Sequence, residues 1–212
     1  MTPPEQGASG LLAEILRRHP AYRQSKTVFA VPDPAVLQVR INTLADGKRL
    51  IMPTPGLRRG FALFEPYHIP FAKIPFAVTF KGMSRFGRTL RNKELQGLGV
   101  DLAVAVACCA DRQGYWLASG DGYFDLAVAV LAALEGVAED CRVAVLCREI
   151  LDQESIEPDP WDVRADLLVT PEKLLEVEIG RKRPEILWER LSSRTVRRIG
   201  PLWHIAGKRG GG

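Results

Sequence analysis

Residues 100–125 constrain the fold more than any other stretch. A run of β-branched and small apolar residues, Val100 to Cys109 (VDLAVAVACC), leads through a Gly-x-Gly loop into an Asp-led apolar helix candidate. A nearly continuous apolar run of this length is expected of a strand covered on both faces. The helix candidate runs from Tyr123 to Leu134. Gly120 and Gly122 let backbone amides approach an anion with no Cβ in the way, so phosphate is a natural ligand of such a loop. An ordinary tight loop between a strand and a helix carries the same glycine pair.

Around this unit the pattern alternates strand and helix, which points to an α/β domain with a mostly parallel central sheet. Leu11, Leu12, Ile15 and Leu16 form a helical stripe that Pro20 ends. Thr27 to Val31 reads as a short strand. Asp33 followed by Pro34 opens a helix with the apolar face Val36, Leu37, Ile41 and Leu44, and Gly47 stops it. Further strands are expected at Arg49 to Met52, Phe61 to Phe64, Arg142 to Leu146 and Asp166 to Thr170. Between Glu65 and Gly99 prolines, aromatics and basic residues alternate without a clean period, and the stretch reads as a surface excursion covering a site. The tail beyond Gly180 is basic and partly amphipathic, with one or two short helices expected and a disordered KRGGG end.

The chain has 212 residues, enough to bury a sizeable core without disulfides or metals. Its four cysteines lie in or beside apolar runs and lack Cys-x-x-Cys spacing, as expected of buried thiols in a reducing cytosol. The polar N-terminus does not resemble a signal peptide, and no run approaches the roughly 18 residues needed to span a bilayer. A soluble, cytoplasmic protein is expected. The net charge of +4 collects in Lys81 to Lys93 and Arg181 to Arg198. That suits a small anionic partner better than a nucleic acid. The three histidines are far apart and have no metal-ligand rhythm.

The segment from Asp101 to Asp125 resembles the signature of the 5-formyltetrahydrofolate cyclo-ligase family, Asp-x-x-Gly-x-Arg-Leu-Gly-x-Gly-x-Gly-Tyr-Tyr-Asp. Here it reads Asp111, Gly114, Trp116, Leu117, Ala118, Gly120, Gly122, Tyr123, Phe124 and Asp125. Asp46-Gly47-Lys48 with LIMPTP, and Trp161 through Pro171 with its Asp-x-x-x-Asp strand, are similar to two more family blocks in the right order. The segment PDPAVLQVRINTLADGKRLIMPTPGLRRGF with GDGYFDL and RKRP looks closer to the methenyltetrahydrofolate synthetase domain-containing branch.

The resemblance implies a three-layer α/β fold of the NagB/RpiA/CoA-transferase type. Residues 1–26 would form an N-terminal helix and connector, 27–180 the cyclo-ligase-like domain, and 181–212 a basic tail packed on it. It implies an ATP- and magnesium-dependent ligase that closes the ring of a reduced folate. Gly120, Asp121, Gly122, Tyr123 and Phe124 would bind phosphate, and Asp125 and Asp162 would hold Mg2+. Lys48, Arg58 and Trp116 are candidate nucleotide or folate contacts.

Three departures stand out: Trp116 takes the place of the family's arginine, Ala118 that of a glycine, and Asp121 that of a glycine or lysine. They motivate an alternative, a non-catalytic nucleotide- or folate-binding homologue. A third reading, RNA association, rests only on the basic clusters.

Overall fold

The computed structural model describes residues 6–118, 122–153, 155–178 and 184–209. The chain opens with helix α1 (Gln6–Arg18), and Pro20 starts a second short helix, α2 (Pro20–Gln24), in addition to ending the first. The His19 side chain caps α2 by accepting from the Ala21 amide, and proline suits the first helical turn because its missing N–H has no partner there.

Strand β1 (Thr27–Ala30) leads to Asp33, whose carboxylate accepts from the Ala35 amide ahead of a 3-10 turn and α3 (Leu37–Ala45). Then come β2 (Arg49–Pro53), β3 (Phe61–Phe64), the short helices α4 (Ile74–Ala77) and α5 (Phe80–Phe86), β4 (Arg88–Thr89) and α6 (Asn92–Leu95). The central unit is β5 (Val100–Val106), β6 (Cys109–Asp111), β7 (Trp116–Leu117) and α7 (Tyr123–Ala133). It is followed by β8 (Val137–Leu146), β9 (Glu149–Leu151), β10 (Leu167–Val169), β11 (Leu174–Glu176), α8 (Ser193–Arg198) and α9 (Gly200–Arg209).

The large sheet has the order β11-β10-β8-β5-β1-β2-β3-β4. Its centre, β10-β8-β5-β1-β2, is parallel, and β3, β4 and β11 pair antiparallel at the margins. Alternate residues of each central strand feed two cores. Phe29, Ile51, Ala103, Ala105, Val143, Val145 and Leu168 pack toward α7, Ile199 and Leu202. Val28, Leu50, Met52, Leu102, Val104, Ala144 and Leu146 pack toward Leu12 and Leu16 of α1 and Val39 and Leu44 of α3. These are the three layers that a two-faced parallel sheet requires.

Three readings of the sequence need correction. The apolar run Val100 to Cys109 is not one strand. β5 ends at Val106, and β6 joins a separate three-stranded sheet, β7-β6-β9. Both pieces are buried, so hydropathy carries no mark of the break. Second, the stretch from Glu65 to Gly99 is not mainly a surface excursion. Ile74, Ala77, Val78 and Met83 pack into one core and Leu90, Leu95 and Leu98 into the other. Its helices are too short to show a period. Third, Lys208 and Arg209 complete α9. Gly210 to Gly212 lie outside the described residues.

Candidate functional site

The chain runs from β1 to β2 on one side of β1 and later returns to place β5 on its other side. Such a reversal of strand order opens a crevice beyond the carboxyl ends of the strands. A cavity of about 1010 Å³ occupies that place, bounded by Val31 after β1, Pro53 and Thr54 at the end of β2, and Ala105 and Val106 at the end of β5. Arg40 of α3, 2% exposed, holds the rim: its guanidinium donates to the Val31 carbonyl and, at 2.9 Å, to the Asp33 carbonyl. Burial pushes the Arg40 guanidinium down to about 10.

The hairpin before α7 explains why its signature residues recur at their spacing. Asp111 is 1% exposed, and its Oδ1 accepts from the Gln113 and Tyr115 amides at 2.9 Å each. Its Oδ2 accepts from the Ile156 amide at 2.9 Å, tying the turn to a segment that lines the cavity. Gly114 has φ +87°, and a Cβ there would lie 2.6 Å from the Ala165 carbonyl oxygen. The Ala165 amide donates to the Gly114 carbonyl at 2.8 Å. Asp111 and Gly114 therefore shape the scaffold behind the site.

Gly122 precedes α7 in the left-handed region, with φ 67° and ψ 23°. The left-handed φ is what calls for glycine here; a Cβ on it would make only an ordinary 3.5 Å contact with the Trp161 indole nitrogen. Phe124 meets Trp116 edge-on at 5.4 Å and Phe29 at 5.9 Å, which joins the cavity wall to the core. Trp116 donates through Nε1 to the Val163 carbonyl at 2.8 Å. The Tyr123 hydroxyl is buried and has no hydrogen-bond partner among the described residues. Burial raises its pKa, against the opposing charges of Arg198 and Arg58.

Asp125, in the first turn of α7, is 8% exposed and accepts from the Val163 amide through Oδ1 at 2.9 Å. Burial pushes its carboxyl up to about 6, opposed by the backbone donors, and the negative charge of Asp162 adds to the rise. Asp162 is itself raised, by burial first and by Asp159 in addition, while its Oδ2 accepts from the Asp159 amide at 2.8 Å. Asp125 and Asp162 both line the cavity. Burial and the neighbouring negative charge both favour the protonated forms of these two carboxyls.

The structure brings Trp116, Gly122, Tyr123, Phe124, Asp125 and Asp162 together on the cavity lining. Gly120 and Asp121 lie outside the described residues. Lys48 is placed at the other end of the sheet. It precedes β2, its Nζ donates to the Arg23 carbonyl at 3.0 Å and the Ser25 carbonyl at 2.6 Å, and it stacks on Tyr22. A residue leading into a parallel strand cannot reach the crevice at the strand's carboxyl end. Arg58 is exposed and stands behind the lining, near Gly56 and with its charge felt at Tyr123.

Sequence reasoning singled out neither Arg40 nor Trp161 nor Arg190. Arg190 lines the cavity with its guanidinium 5.6 Å from the Trp161 ring centre. The Asp-Pro-Trp-Asp string at Asp159 to Asp162 was the available signal for Trp161; Arg190 sits in a tail whose docking only the fold reveals.

The sequence profile described as the 5-formyltetrahydrofolate cyclo-ligase family matches residues 1–171. The chain belongs to this family. Among curated cyclo-ligase relatives, the methenyltetrahydrofolate synthase domain-containing protein of Danio rerio is 25% identical over 190 residues, 83% of this chain and 47% of its own length. The Bos taurus protein of the same name is 26% identical over 189 residues, 85% of this chain and 48% of its own. The chain thus spans about half the length of these relatives. The solved structure of Aquifex aeolicus 5,10-methenyltetrahydrofolate synthetase superposes with a TM-score of 0.51 at 19% identity, covering 82% of this chain and 83% of that one. That likeness carries the cyclo-ligase fold. No helix among the described residues is long and apolar enough to cross a membrane.

Proposed function

We propose that this chain catalyses the ATP-dependent cyclisation of 5-formyltetrahydrofolate to 5,10-methenyltetrahydrofolate. In that reaction the formyl oxygen is phosphorylated by ATP, the neighbouring nitrogen closes the ring, and the oxygen leaves with inorganic phosphate. The observation that carries the reading is the Asp125 and Asp162 pair, facing the cavity beside the amino end of α7 at the point where the strand order reverses.

The donor set fits magnesium. Among the described residues no group of three His, Cys, Asp or Glu side chains is placed for a metal. Magnesium commonly takes one or two carboxylates and fills its octahedron with phosphates and water. Asp125 and Asp162 would hold it, and it would offset charge on the transferring phosphoryl group. The chain's own residues do the rest. Trp116, Phe124 and Leu187 give the apolar wall on which a pterin ring would pack. The Val163 amide fixes the Asp125 carboxylate. The reading places the protein in the cytoplasm, with reduced folate and ATP as its small-molecule partners.

A specific observation favours a second reading, a binding homologue without turnover. Trp116 occupies the place of the family's loop arginine and spends its indole N–H on Val163, so it brings no charge to a phosphate. Calorimetry with MgATP and 5-formyltetrahydrofolate separates the two when joined to a product assay. Binding with product supports catalysis; binding without product supports the homologue.

A further inference from the structure

The family match ends at residue 171, yet the cavity does not. Glu185, Ile186, Leu187, Arg190 and Leu191 form one of its walls. We infer that this C-terminal wall is part of the ligand site and that Arg190 is a binding residue for the phosphate groups of a nucleotide. The inference rests on the reading above, and adds a contact from outside the matched region.

The wall is anchored. Ile199 and Leu202 are 2% and 0% exposed within the same core as α7. The Gly200 amide donates to the Arg58 carbonyl at 3.0 Å, and Pro201 lies against Gly60, where a Cβ would come within 2.9 Å of the proline ring. Arg209 covers the Trp188 ring at 4.9 Å, closing α9 back onto the turn that carries Arg190. A segment held by buried side chains at one end and a cation on aromatic contact at the other presents its inner face in a fixed place.

Charge then singles out Arg190. The described lining contains Asp33, Asp125, Glu157, Asp159, Asp162 and Glu185, and Arg190 is its single cation. Among the described residues no carboxylate lies within ion-pair distance of Arg190. Its guanidinium lies 5.6 Å from the centre of the Trp161 ring, and the Nε1 side of that indole neighbours Gly122 at the amino end of α7. Guanidinium, indole and helix end are therefore neighbours along one wall, and the next residue after Trp161 is the carboxylate Asp162. A polyphosphate whose metal was held by Asp125 and Asp162 would share this cavity with Arg190. There the helix amides and the Arg190 fork both favour phosphate oxygens, and a planar guanidinium can make two parallel hydrogen bonds to one phosphate. An adenosine without phosphates gains nothing from the same cation.

The test is calorimetric titration of the full chain, its Arg190→Gln variant and its Arg190→Lys variant with MgATP and, separately, with adenosine. The expected result is an ATP affinity about fivefold or more weaker in Arg190→Gln, partly recovered in Arg190→Lys, as loss of a charge-assisted contact requires. Adenosine affinity and melting temperature stay those of the unsubstituted chain. Equal ATP affinity in Arg190→Gln overturns the inference. So does an equal loss for ATP and adenosine, which would make Arg190 a mere support of Trp161. If the unsubstituted chain binds no nucleotide, the function proposed above falls as well; the other adverse results leave it standing.

Discussion

Asp125 and Val163 are joined by a 2.9 Å hydrogen bond, from the Val163 amide to the Asp125 carboxylate, while Trp116 holds the other side of the same residue through its carbonyl. One peptide segment is thus clamped between the first turn of α7 and the hairpin that precedes it. Asp162, the second carboxylate facing the cavity, is the adjacent residue. The clamp sets the spacing of the acidic pair.

Asp125 is expected to lower the protein's stability at neutral pH and to serve metal binding. Its folded-state pKa is raised to about 6 from an ordinary 3.8. The protonated form is therefore the one the fold prefers: the stabilisation is fully present below 3.8 and is lost as pH rises through about 6. Asp125→Asn keeps an acceptor for the Val163 amide and removes the charge. It should raise stability at pH 7.5 by about 1–3 kcal/mol and leave it unchanged below pH 4. Magnesium-dependent ligand binding should vanish. Urea melts at the two pH values and a magnesium titration check both.

Gly114→Ala should be strongly destabilising. The left-handed φ of +87° and the 2.6 Å approach to the Ala165 oxygen act together, so a cost of about 2–4 kcal/mol is expected in a urea melt. Gly97→Ala is the control. It shares a positive φ of 70° with no atom within 4 Å, and should cost about 1 kcal/mol.

Trp116→Phe keeps most of the apolar wall and deletes the indole donor to Val163. The expected loss is about 1 kcal/mol in chemical denaturation. Ligand affinity should fall with it, because the clamp on the Asp125 partner loosens.

Arg40→Ala removes the guanidinium that satisfies the Val31 and Asp33 carbonyls. Two under-satisfied carbonyls and the lost packing of a buried side chain should cost about 2–4 kcal/mol by thermal or urea melting.

The parallel sheet was legible because each central strand is an apolar run between turn signals, and Asp33-Pro34 and Gly47 mark the ends of the helical region between the first two. The family signature singled out Tyr123, Phe124, Asp125 and Asp162, which line the cavity, and the structure gives part of its spacing a cause: Asp111 and Gly114 build the hairpin, and Gly122 takes the left-handed turn before α7. Lys48 was misplaced although strand direction alone locates it at the wrong end. The break between β5 and β6 was illegible because both pieces are equally buried. Arg190 was illegible for a different reason, since its place depends on Ile199 and Leu202 finding a core built by residues far earlier in the chain.

The most direct test is turnover of the purified chain with 5-formyltetrahydrofolate, ATP and magnesium, following the near-ultraviolet absorbance of methenyltetrahydrofolate and the release of inorganic phosphate together, beside an active cyclo-ligase. The expected result is product that requires both ATP and magnesium, with one phosphate released per methenyl group formed, and none from Asp125→Asn. Absence of product under conditions where the control enzyme turns over and this chain binds both ligands would contradict the cyclo-ligase reading and leave the binding homologue in its place.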